Sequence, residues 1–226
     1  MIKILFFIDE LTGGGAEKVL RTLVNNMDQS KFEITVHTVN YADPAGYLAP
    51  GIRYRAINRC KTGWGRKLFS YWIRLCAELK WLYPLYIRDD YDLEVAYLEC
   101  GPTKILAGST NKKAKKLAWV HCDLKKKGLA NPEKVKAQYA KYDKVICVSQ
   151  NVKESFCELF KGCTETQVLC NVVDETEIIQ HAVKEGGENP CFVFLAIGRL
   201  VHQKGFDRLL DACSMLKKDG WDFRLQ

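Results

Sequence analysis

Short apolar runs alternate with longer amphipathic segments along this 226-residue chain. The first run, residues 2–8, carries almost only large apolar side chains, which predicts a strand that is buried on both faces. Between such runs, apolar residues recur three and four positions apart, which is the spacing of one helix face. Strands that alternate with helices predict an α/β fold, a Rossmann-like parallel sheet with helices on both faces. The further strand candidates are residues 32–39, 52–57, 93–98, 116–120, 144–148, 166–170 and 191–197.

Three predicted helices have specific boundary signals. A long amphipathic segment from Arg66 to Arg88 predicts one helix, and Pro84 is expected to end or kink it, because proline lacks the amide hydrogen that a helix interior needs. Pro102 fits the first turn of a short helix, where that hydrogen would have no partner. Ser149 is predicted to cap the N-terminus of a helix that extends to about residue 160.

The pattern divides the chain into two parts. Residues 1–170 are predicted to form a sheet of about six or seven strands. Residues 171–190 combine glycine, proline and charged residues, as linkers do, and predict a connection between domains. Residues 191–226 hold one strand candidate, one helix over residues 205–216 and the start of another strand, which is too little to enclose a core.

Three consecutive glycines, Gly13, Gly14 and Gly15, follow the first strand and precede a helix. Glycines at this place let backbone N–H groups approach a ligand closely. The segment matches neither the Gly-x-Gly-x-x-Gly dinucleotide fingerprint nor a P-loop, so a nicotinamide or ATP site is poorly supported. A tight strand-to-helix turn without a ligand is the alternative.

A second glycine turn follows the strand candidate of residues 191–197. Gly198 and Arg199 come directly after this strand, and Lys204 and Gly205 precede the next helix. Helix N-termini at the carboxyl ends of parallel strands carry positive partial charge, and the two cations add the full charges that an anionic diphosphate needs. The alternative is an ordinary turn whose Arg and Lys side chains face solvent.

Together with three further segments, these two glycine turns resemble the retaining glycosyltransferases of family 4, which have the GT-B fold of two facing Rossmann-like domains. The resemblance covers the whole chain, and it depends on the order and spacing of the motifs more than on any one of them. The matching segments are Gly13–Lys18, Trp119–His121, Val148–Ser149, Asn171–Asp174, Gly198–Leu200 and Lys204–Asp207.

The resemblance implies a role for each part of the chain. Residues 1–170 correspond to the acceptor-side domain, residues 171–190 to the interdomain connection, and residues 191–226 to the beginning of the nucleotide-sugar-binding domain. The Glu-x7-Glu element of the family falls beyond Gln226, so the second domain is expected to be incomplete and this chain to be inactive alone.

The resemblance also implies site residues. It assigns the donor diphosphate to Gly198, Arg199, Lys204 and Gly205, the cleft glycine loop to Gly13–Gly15, and a catalytic position in the cleft to His121. No metal and no cofactor are implied beyond the nucleotide-diphosphate sugar, which is the donor substrate. A core or capping histidine is the alternative for His121. Glu99, which follows the strand candidate of residues 93–98, is not included in the predicted site.

The function implied by the resemblance is transfer of a sugar, of the hexosyltransferase type, from a nucleotide-sugar donor to a glycan or lipid-linked acceptor in cell-surface polysaccharide assembly. A non-catalytic acceptor-binding or partner subunit is the alternative from another class. A nucleotide-sugar epimerase, which shares the GT-B architecture, is a weaker one.

Charge adds one question about partners. The net charge is +7, and residues 101–127 contain eight lysines and a single acid. A solvated lysine-rich face is the favoured interpretation, and peripheral contact with an anionic membrane is the other. Nucleic-acid binding is not predicted, because no recognisable motif accompanies the charge.

Compartment and metal content follow from two further patterns. No stretch of eighteen apolar residues occurs, and the start of the chain lacks the pattern of a signal peptide. The ten cysteines are scattered singly without a Cys-x-x-Cys pair, which favours reduced thiols over disulfides or a zinc site. We therefore expect a cytoplasmic protein, with any membrane contact peripheral at the inner face of the cell membrane.

Overall fold

The computed structural model describes residues 1–59, 64–182 and 191–226. Its main feature is a seven-stranded sheet in which every neighbouring pair of strands is parallel. The strands are β1 (Ile2–Ile8), β2 (Phe32–Asn40), β3 (Arg53–Asn58), β4 (Leu93–Ala96), β5 (Lys115–Val120), β6 (Lys144–Cys147) and β7 (Glu165–Val168). Their spatial order is β3-β2-β1-β4-β5-β6-β7, which confirms the predicted Rossmann-like α/β class.

Alternate residues of β1 explain why both faces of the sheet must be covered. Leu5 and Phe7 belong to one hydrophobic core, whereas Ile4, Phe6 and Ile8 belong to a second core on the other face. Because successive side chains of a strand point to opposite faces, a wholly apolar strand is stable only between two layers.

The helices supply those layers. Those of Met1–Asp174 are α1 (Gly15–Asn25), α2 (Trp64–Glu78), α3 (Leu82–Tyr86), α4 (Gly101–Leu106), α5 (Leu124–Lys127), α6 (Pro132–Tyr139) and α7 (Gln150–Leu159); α8 (Glu175–His181) and α9 (Phe206–Lys218) follow later in the chain. Two boundary predictions are confirmed: the Ser149 side chain accepts a hydrogen bond from the Val152 amide at the start of α7, and Pro102 lies in the first turn of α4. Among the described residues, no helix is both long enough and apolar enough to cross a membrane.

The prediction of one long helix over residues 66–88 is wrong. The segment forms two helices, α2 and α3, and the chain turns at Lys80, whose φ is +59°. Pro84 lies inside the first turn of α3, where backbone N–H groups have no helical partners, so the ring removes no helical bond there. The helix is therefore interrupted where Lys80 adopts the left-handed conformation and not at Pro84.

The lysine-rich region of residues 101–127 does not form one surface. Lys115 and Lys116 begin β5, whereas Lys125, Lys126 and Lys127 form α5 beyond the other end of that strand. The six-residue strand separates the two groups by about 17–20 Å. A linear cluster in the sequence thus becomes two groups at opposite ends of the sheet.

The described residues separate into two compact units, Met1–Asp174 and Glu175–Gln226. The second contains α8, α9, a short 3₁₀ helix (His202–Lys204) and a two-stranded parallel sheet, β8 (Phe192–Phe194) and β9 (Phe223–Leu225). Helix α8 lies within the predicted connection, and residues 183–190 of that connection lie outside the described residues.

Candidate functional site

The strand order places a crevice at the carboxyl ends of β1 and β4. The chain that leaves β1 leads to β2, and the chain that leaves β4 leads to β5. Strands β2 and β5 lie on opposite sides of the β1–β4 pair, so the two chains depart in opposite directions. Ligands of open α/β sheets bind at such a switch point. Asp9 directly follows β1, and Tyr97 and Glu99 follow β4, so their position relative to these strands brings them to this edge.

Glu99 is the centre of a hydrogen-bonded cluster at this edge. Its carboxylate accepts a hydrogen bond from the Cys122 thiol at 2.9 Å, from the His121 backbone amide at 3.3 Å and from the Lys127 ammonium group at 3.4 Å. The residue is 9% exposed. The segment just after β5 and helix α5 supply these three donors, so Glu99 ties the end of β4 to the chain that follows β5.

The electrostatics of the cluster favour a charged Glu99 and a neutral thiol. Burial opposes ionisation of Glu99, but the hydrogen bonds from Cys122 and the His121 backbone, together with the charge of Lys127, outweigh it and lower its pKa. Burial, with the neighbouring Glu99 second, raises the pKa of Cys122 to about 12. Cys122 therefore keeps its proton and serves as a hydrogen-bond donor. It is not an effective nucleophile in this state, because only the thiolate is one.

His121 lies directly after β5, as predicted, and its ring packs among aromatic side chains. The ring centroid is 4.9 Å from that of Tyr97 and 6.4 Å from that of Trp119. Burial lowers the pKa of His121, so the imidazole is neutral at pH 7. Its Nε2 atom is buried and has no hydrogen-bond partner among the residues that the structure describes. A neutral imidazole donates or accepts a hydrogen bond at this nitrogen according to its tautomer, so the described residues leave one buried hydrogen-bonding position of the ring unused.

Asp9 adds a second carboxylate to this edge, next to a cavity of about 410 Å³. The Asp9 side chain is exposed to solvent at one side. Desolvation by the surrounding protein is nevertheless the largest cause, and the negative charge of Glu99 the second, that raise the pKa of Asp9 to about 6. The cavity lies between the ends of β1 and β2 and helices α2 and α4. Residues that line it include Asp9, Asn40, Ser70, Arg74, Gly101 and Lys104.

The glycine loop after β1 is held from within the chain. Glu17 accepts hydrogen bonds from the Gly14 amide at 2.6 Å and from the Thr12 amide at 2.9 Å, so these two N–H groups are already paired. Gly13 has a φ of +90°, which side-chain-bearing residues rarely adopt. A Cβ atom built on Gly13 or Gly15 would meet no described heavy atom within 4 Å, so the loop borders open space.

The predicted diphosphate residues come together within the second unit. A Cβ built on Gly198 would lie 3.2 Å from the Phe206 ring and 3.6 Å from the Lys204 side chain. The 3₁₀ helix ends at Gly205, whose φ of +67° is left-handed, and α9 begins immediately after it. Arg199 and Lys204 are both exposed. The turn therefore presents two cations and the N-terminus of α9, which is the arrangement that anions prefer.

The site contains residues that the sequence reasoning did not select. Asp9, Cys122 and Lys127 were not predicted, and Glu99 was excluded. Asp9 and Glu99 carried a signal, because a carboxylate just after an apolar strand lies at the ligand-binding edge of a parallel sheet. Cys122 and Lys127 carried none, since their relation to Glu99 arises from the pairing of β4 with β5.

The chemistry of the described residues is that of hydrogen bonding and anion binding. They contain no cluster of three or more histidine, cysteine or acidic side chains that could hold a metal ion, and their cysteines are free thiols. The first unit offers carboxylates and a neutral imidazole, which suit sugar hydroxyls. The second unit offers cations at a helix N-terminus.

A comparison with protein families finds a match to the model of Glycosyltransferase Family 4 over residues 13–177. The matched range begins at the glycine loop and includes the Glu99 cluster. No curated protein matches the sequence.

Solved structures with a similar fold include HepE from Anabaena and a glycosyltransferase from Rickettsia africae. HepE in complex with UDP and glucose has a TM-score of 0.63 and 18% identity, and the match covers 95% of this chain and 58% of HepE. HepE in complex with UDP-glucose gives a TM-score of 0.62 at 19% identity. The Rickettsia protein has a TM-score of 0.59 and 18% identity, and the match covers 99% of this chain and 59% of that protein. This chain thus spans less than two thirds of either neighbour.

Proposed function

Because the chain belongs to glycosyltransferase family 4, we propose that it forms the acceptor-side domain and part of the donor-side domain of a retaining glycosyltransferase that uses a nucleotide-sugar donor. In this proposal residues 1–170 form the acceptor side, residues 171–190 connect the domains and residues 191–226 belong to the donor side. The observation that carries it is the pairing of Arg199 and Lys204 with the N-terminus of α9, in a chain whose fold matches a UDP-glucose-bound neighbour.

The donor diphosphate binds, in this proposal, at Gly198, Arg199, Lys204 and Gly205. Sugar transfer leaves negative charge on the departing nucleoside diphosphate, and cations at a helix N-terminus stabilise that charge more in the transition state than in the ground state. The glycine turn supports the assignment, because the Gly198 backbone lies close to the Phe206 ring at the start of α9 and to the Lys204 side chain.

The acceptor hydroxyl approaches, in the same proposal, the carboxyl edge of the first unit. There His121 contributes a neutral imidazole to the cleft, Gly13–Gly15 border it, and Asp9 and Glu99 supply carboxylate oxygens. Neutral and anionic hydrogen-bonding groups orient sugar hydroxyls without competing for the diphosphate, and such orientation reduces the entropy cost of the reaction. A glycan or lipid-linked acceptor in cell-surface polysaccharide assembly, in the cytoplasm at the inner face of the membrane, fits this site.

The direct test replaces each diphosphate cation. Transfer and hydrolysis of UDP-glucose would be measured for this 226-residue chain and for any longer protein that contains it. In a protein that turns over, Arg199→Ala or Lys204→Ala should slow transfer by about a hundredfold, because each removes a charge from the leaving group. His121→Ala should also lower the rate of transfer.

The matched control is Lys218→Ala, which removes an exposed positive charge from the last turn of α9, at the opposite end of the same helix. This variant should retain full turnover. Equal activity of the Arg199, Lys204 and Lys218 variants would refute the diphosphate assignment.

A further inference from the structure

A cavity of about 200 Å³ in the first unit is lined by residues of α2, α4 and α6 and of the segments that follow these helices. Its uncharged lining consists mainly of short side chains, at Ala77, Ala107 and Ala137. Four lysines and a single acid complete the lining and give it a formal charge of +3. We call this place the lysine cavity; its charged residues are Glu78, Lys80, Lys104, Lys134 and Lys141.

Two of the four lysines already hold an anionic group, the carboxylate of Glu78. Lys134 binds this carboxylate at 2.6 Å, and Lys104 binds it as well. The hydrogen bonds from these two lysines lower the pKa of Glu78 to about 2, so the carboxylate is charged at pH 7. Ammonium groups from α4 and α6 thus already converge on one anion at this cavity.

The other two lysines, Lys80 and Lys141, line the same cavity without a carboxylate. Among the residues that the structure describes, neither forms an ion pair with an acid; Lys141 donates a hydrogen bond to the Ala107 carbonyl at 3.2 Å. Burial and then the neighbouring Lys80 lower the pKa of Lys141. Adjacent ammonium groups repel each other, and an anion that contacts both would offset this repulsion.

The backbone fixes Lys80 at the cavity. Lys80 has a φ of +59°, which residues with a Cβ atom adopt at a cost in free energy. A Cβ atom built on Gly108 would lie 3.3 Å from the Lys80 Cβ atom, so the turn at Lys80 and the segment after α4 are in contact. This contact holds the Lys80 backbone beside the lining of the lysine cavity.

We propose that the lysine cavity binds a phosphate or diphosphate group, which contacts Lys80 and Lys141 and competes with Glu78 for Lys104 and Lys134. Lysine is a common partner of phosphoryl oxygens, and charge-assisted hydrogen bonds are the strong ones. The cavity is smaller than the pockets of about 300–1,000 Å³ that enclose a drug-sized molecule, so it suits this group better than a whole nucleotide. The inference concerns the first unit alone and does not depend on sugar transfer.

The test is isothermal titration calorimetry of the complete 226-residue chain with inorganic pyrophosphate. Every sample carries Arg199→Ala and Lys204→Ala, so the proposed donor turn cannot be the source of binding. We expect one pyrophosphate per chain. Addition of Lys80→Gln and Lys141→Gln should weaken binding at least tenfold, because each lost charge-assisted hydrogen bond costs roughly a factor of ten in affinity.

Glu78→Gln should change the affinity in the opposite direction. The amide carries no charge, so Lys104 and Lys134 become available to the added anion. Affinity for pyrophosphate should rise about fivefold. A loss of structure around the cavity would not produce such an increase.

The matched control is Lys112→Gln with Lys113→Gln. It removes the same charge from two exposed lysines of the first unit that do not line the cavity. At an ionic strength of about 0.1 M, exposed charges beyond about 10 Å are largely screened, so this variant should bind pyrophosphate within about twofold of its parent. Circular dichroism verifies the fold of each variant.

Two further measurements locate the site and identify the source of the group. Amide resonances of Ala107 and Gln138 in ¹H–¹⁵N spectra should shift when pyrophosphate is added. Glucose 1-phosphate presents the same group on a sugar. Tighter binding of pyrophosphate would support a free anion, and tighter binding of glucose 1-phosphate would support a phosphorylated sugar, with both dependent on Lys80 and Lys141.

Three results would overturn the proposal. The first is an absence of binding once Arg199 and Lys204 are replaced, because the donor turn would then be the anion site. The second is an equal loss of affinity in the Lys112, Lys113 control and in the Lys80, Lys141 variant. The third is weaker binding of pyrophosphate by Glu78→Gln.

Discussion

The two units of this chain solve the burial of apolar residues differently. In Met1–Asp174 a seven-stranded sheet separates two cores, and strand residues such as Leu5, Phe7 and Ile8 are fully buried. In Glu175–Gln226 the sheet of the described residues has two strands, and large apolar residues such as Ile197 and Leu210 are exposed. Apolar composition alone therefore does not make a core, because a core needs enough strands and helices to surround it.

The candidate site residues differ between the units in the same way. Glu99 in the first unit is buried, and three donors from neighbouring segments fix its carboxylate. Arg199 and Lys204 in the second unit are exposed. A buried hydrogen-bonded group affects folding when it is changed, whereas an exposed cation affects mainly what it binds.

The largest expected difference in unfolding free energy is that between Phe7→Ala and Leu210→Ala. Phe7 is fully buried and packs on His37 with ring centroids 5.5 Å apart, so its truncation should lower the free energy of unfolding by about 3–5 kcal/mol. Leu210 is exposed on α9, and its truncation should change that free energy by less than about 0.5 kcal/mol. Urea unfolding measures both. Equal losses of unfolding free energy in the two variants would show that Leu210 belongs to a core of the second unit.

A smaller effect is expected at the polar groups. Glu99→Gln should lower the free energy of unfolding by about 1–3 kcal/mol, because a charged acceptor of three hydrogen bonds becomes a neutral amide. Arg199→Gln should change it by less than about 0.5 kcal/mol. Since the pKa of Glu99 is lowered in the fold, its stabilisation is present above the ordinary pKa of 4.5.

The pH dependence gives this prediction a second readout. The difference in unfolding free energy between the unchanged chain and Glu99→Gln should shrink as the pH falls through the lowered pKa, because the carboxylate then takes up its proton. Urea unfolding at several pH values below 5 would measure it. A difference that stays constant with pH would argue against a charged Glu99.

The smallest effect concerns the proton of Asp9. Its pKa is raised to about 6 from 3.8, so its contribution to stability is complete below pH 3.8 and is lost as the pH rises through 6. Asp9→Asn should abolish this decline and leave a flatter stability curve between pH 4 and pH 6. Carboxyl resonances in NMR spectra would follow the titration directly, and a midpoint near 4 would contradict the raised pKa of Asp9.

The sequence predicted much of the first unit because its signals are local. The wholly apolar residues 2–8 could only be a strand covered on both faces, and Ser149 and Pro102 marked helix starts through groups on the adjacent backbone. The prediction of one long helix over residues 66–88 was wrong for the opposite reason. The apolar spacing continued through Lys80, and that residue has a left-handed conformation which periodicity does not reveal.

The candidate site was less accessible from the sequence. His121 directly follows β5 and the second glycine turn directly precedes α9, so their position along the chain was informative. Glu99 needed the pairing of β4 with β5 before Cys122 and Lys127 could become its donors. The lysine-rich region could not be divided from the sequence for a similar reason, because the strand in its middle separates its lysines into two groups.

By itself, the sequence determined the α/β class, the approximate strands, the glycine turns and the family resemblance. These depend on hydrophobic periodicity and on short motifs, whose physics acts over a few residues. Only the tertiary structure decided which carboxylates share the β1–β4 edge, which lysines pair with a carboxylate and which line the lysine cavity without one. Those properties depend on neighbours that are distant in sequence, since burial and ion pairing arise when strand order brings separate segments together.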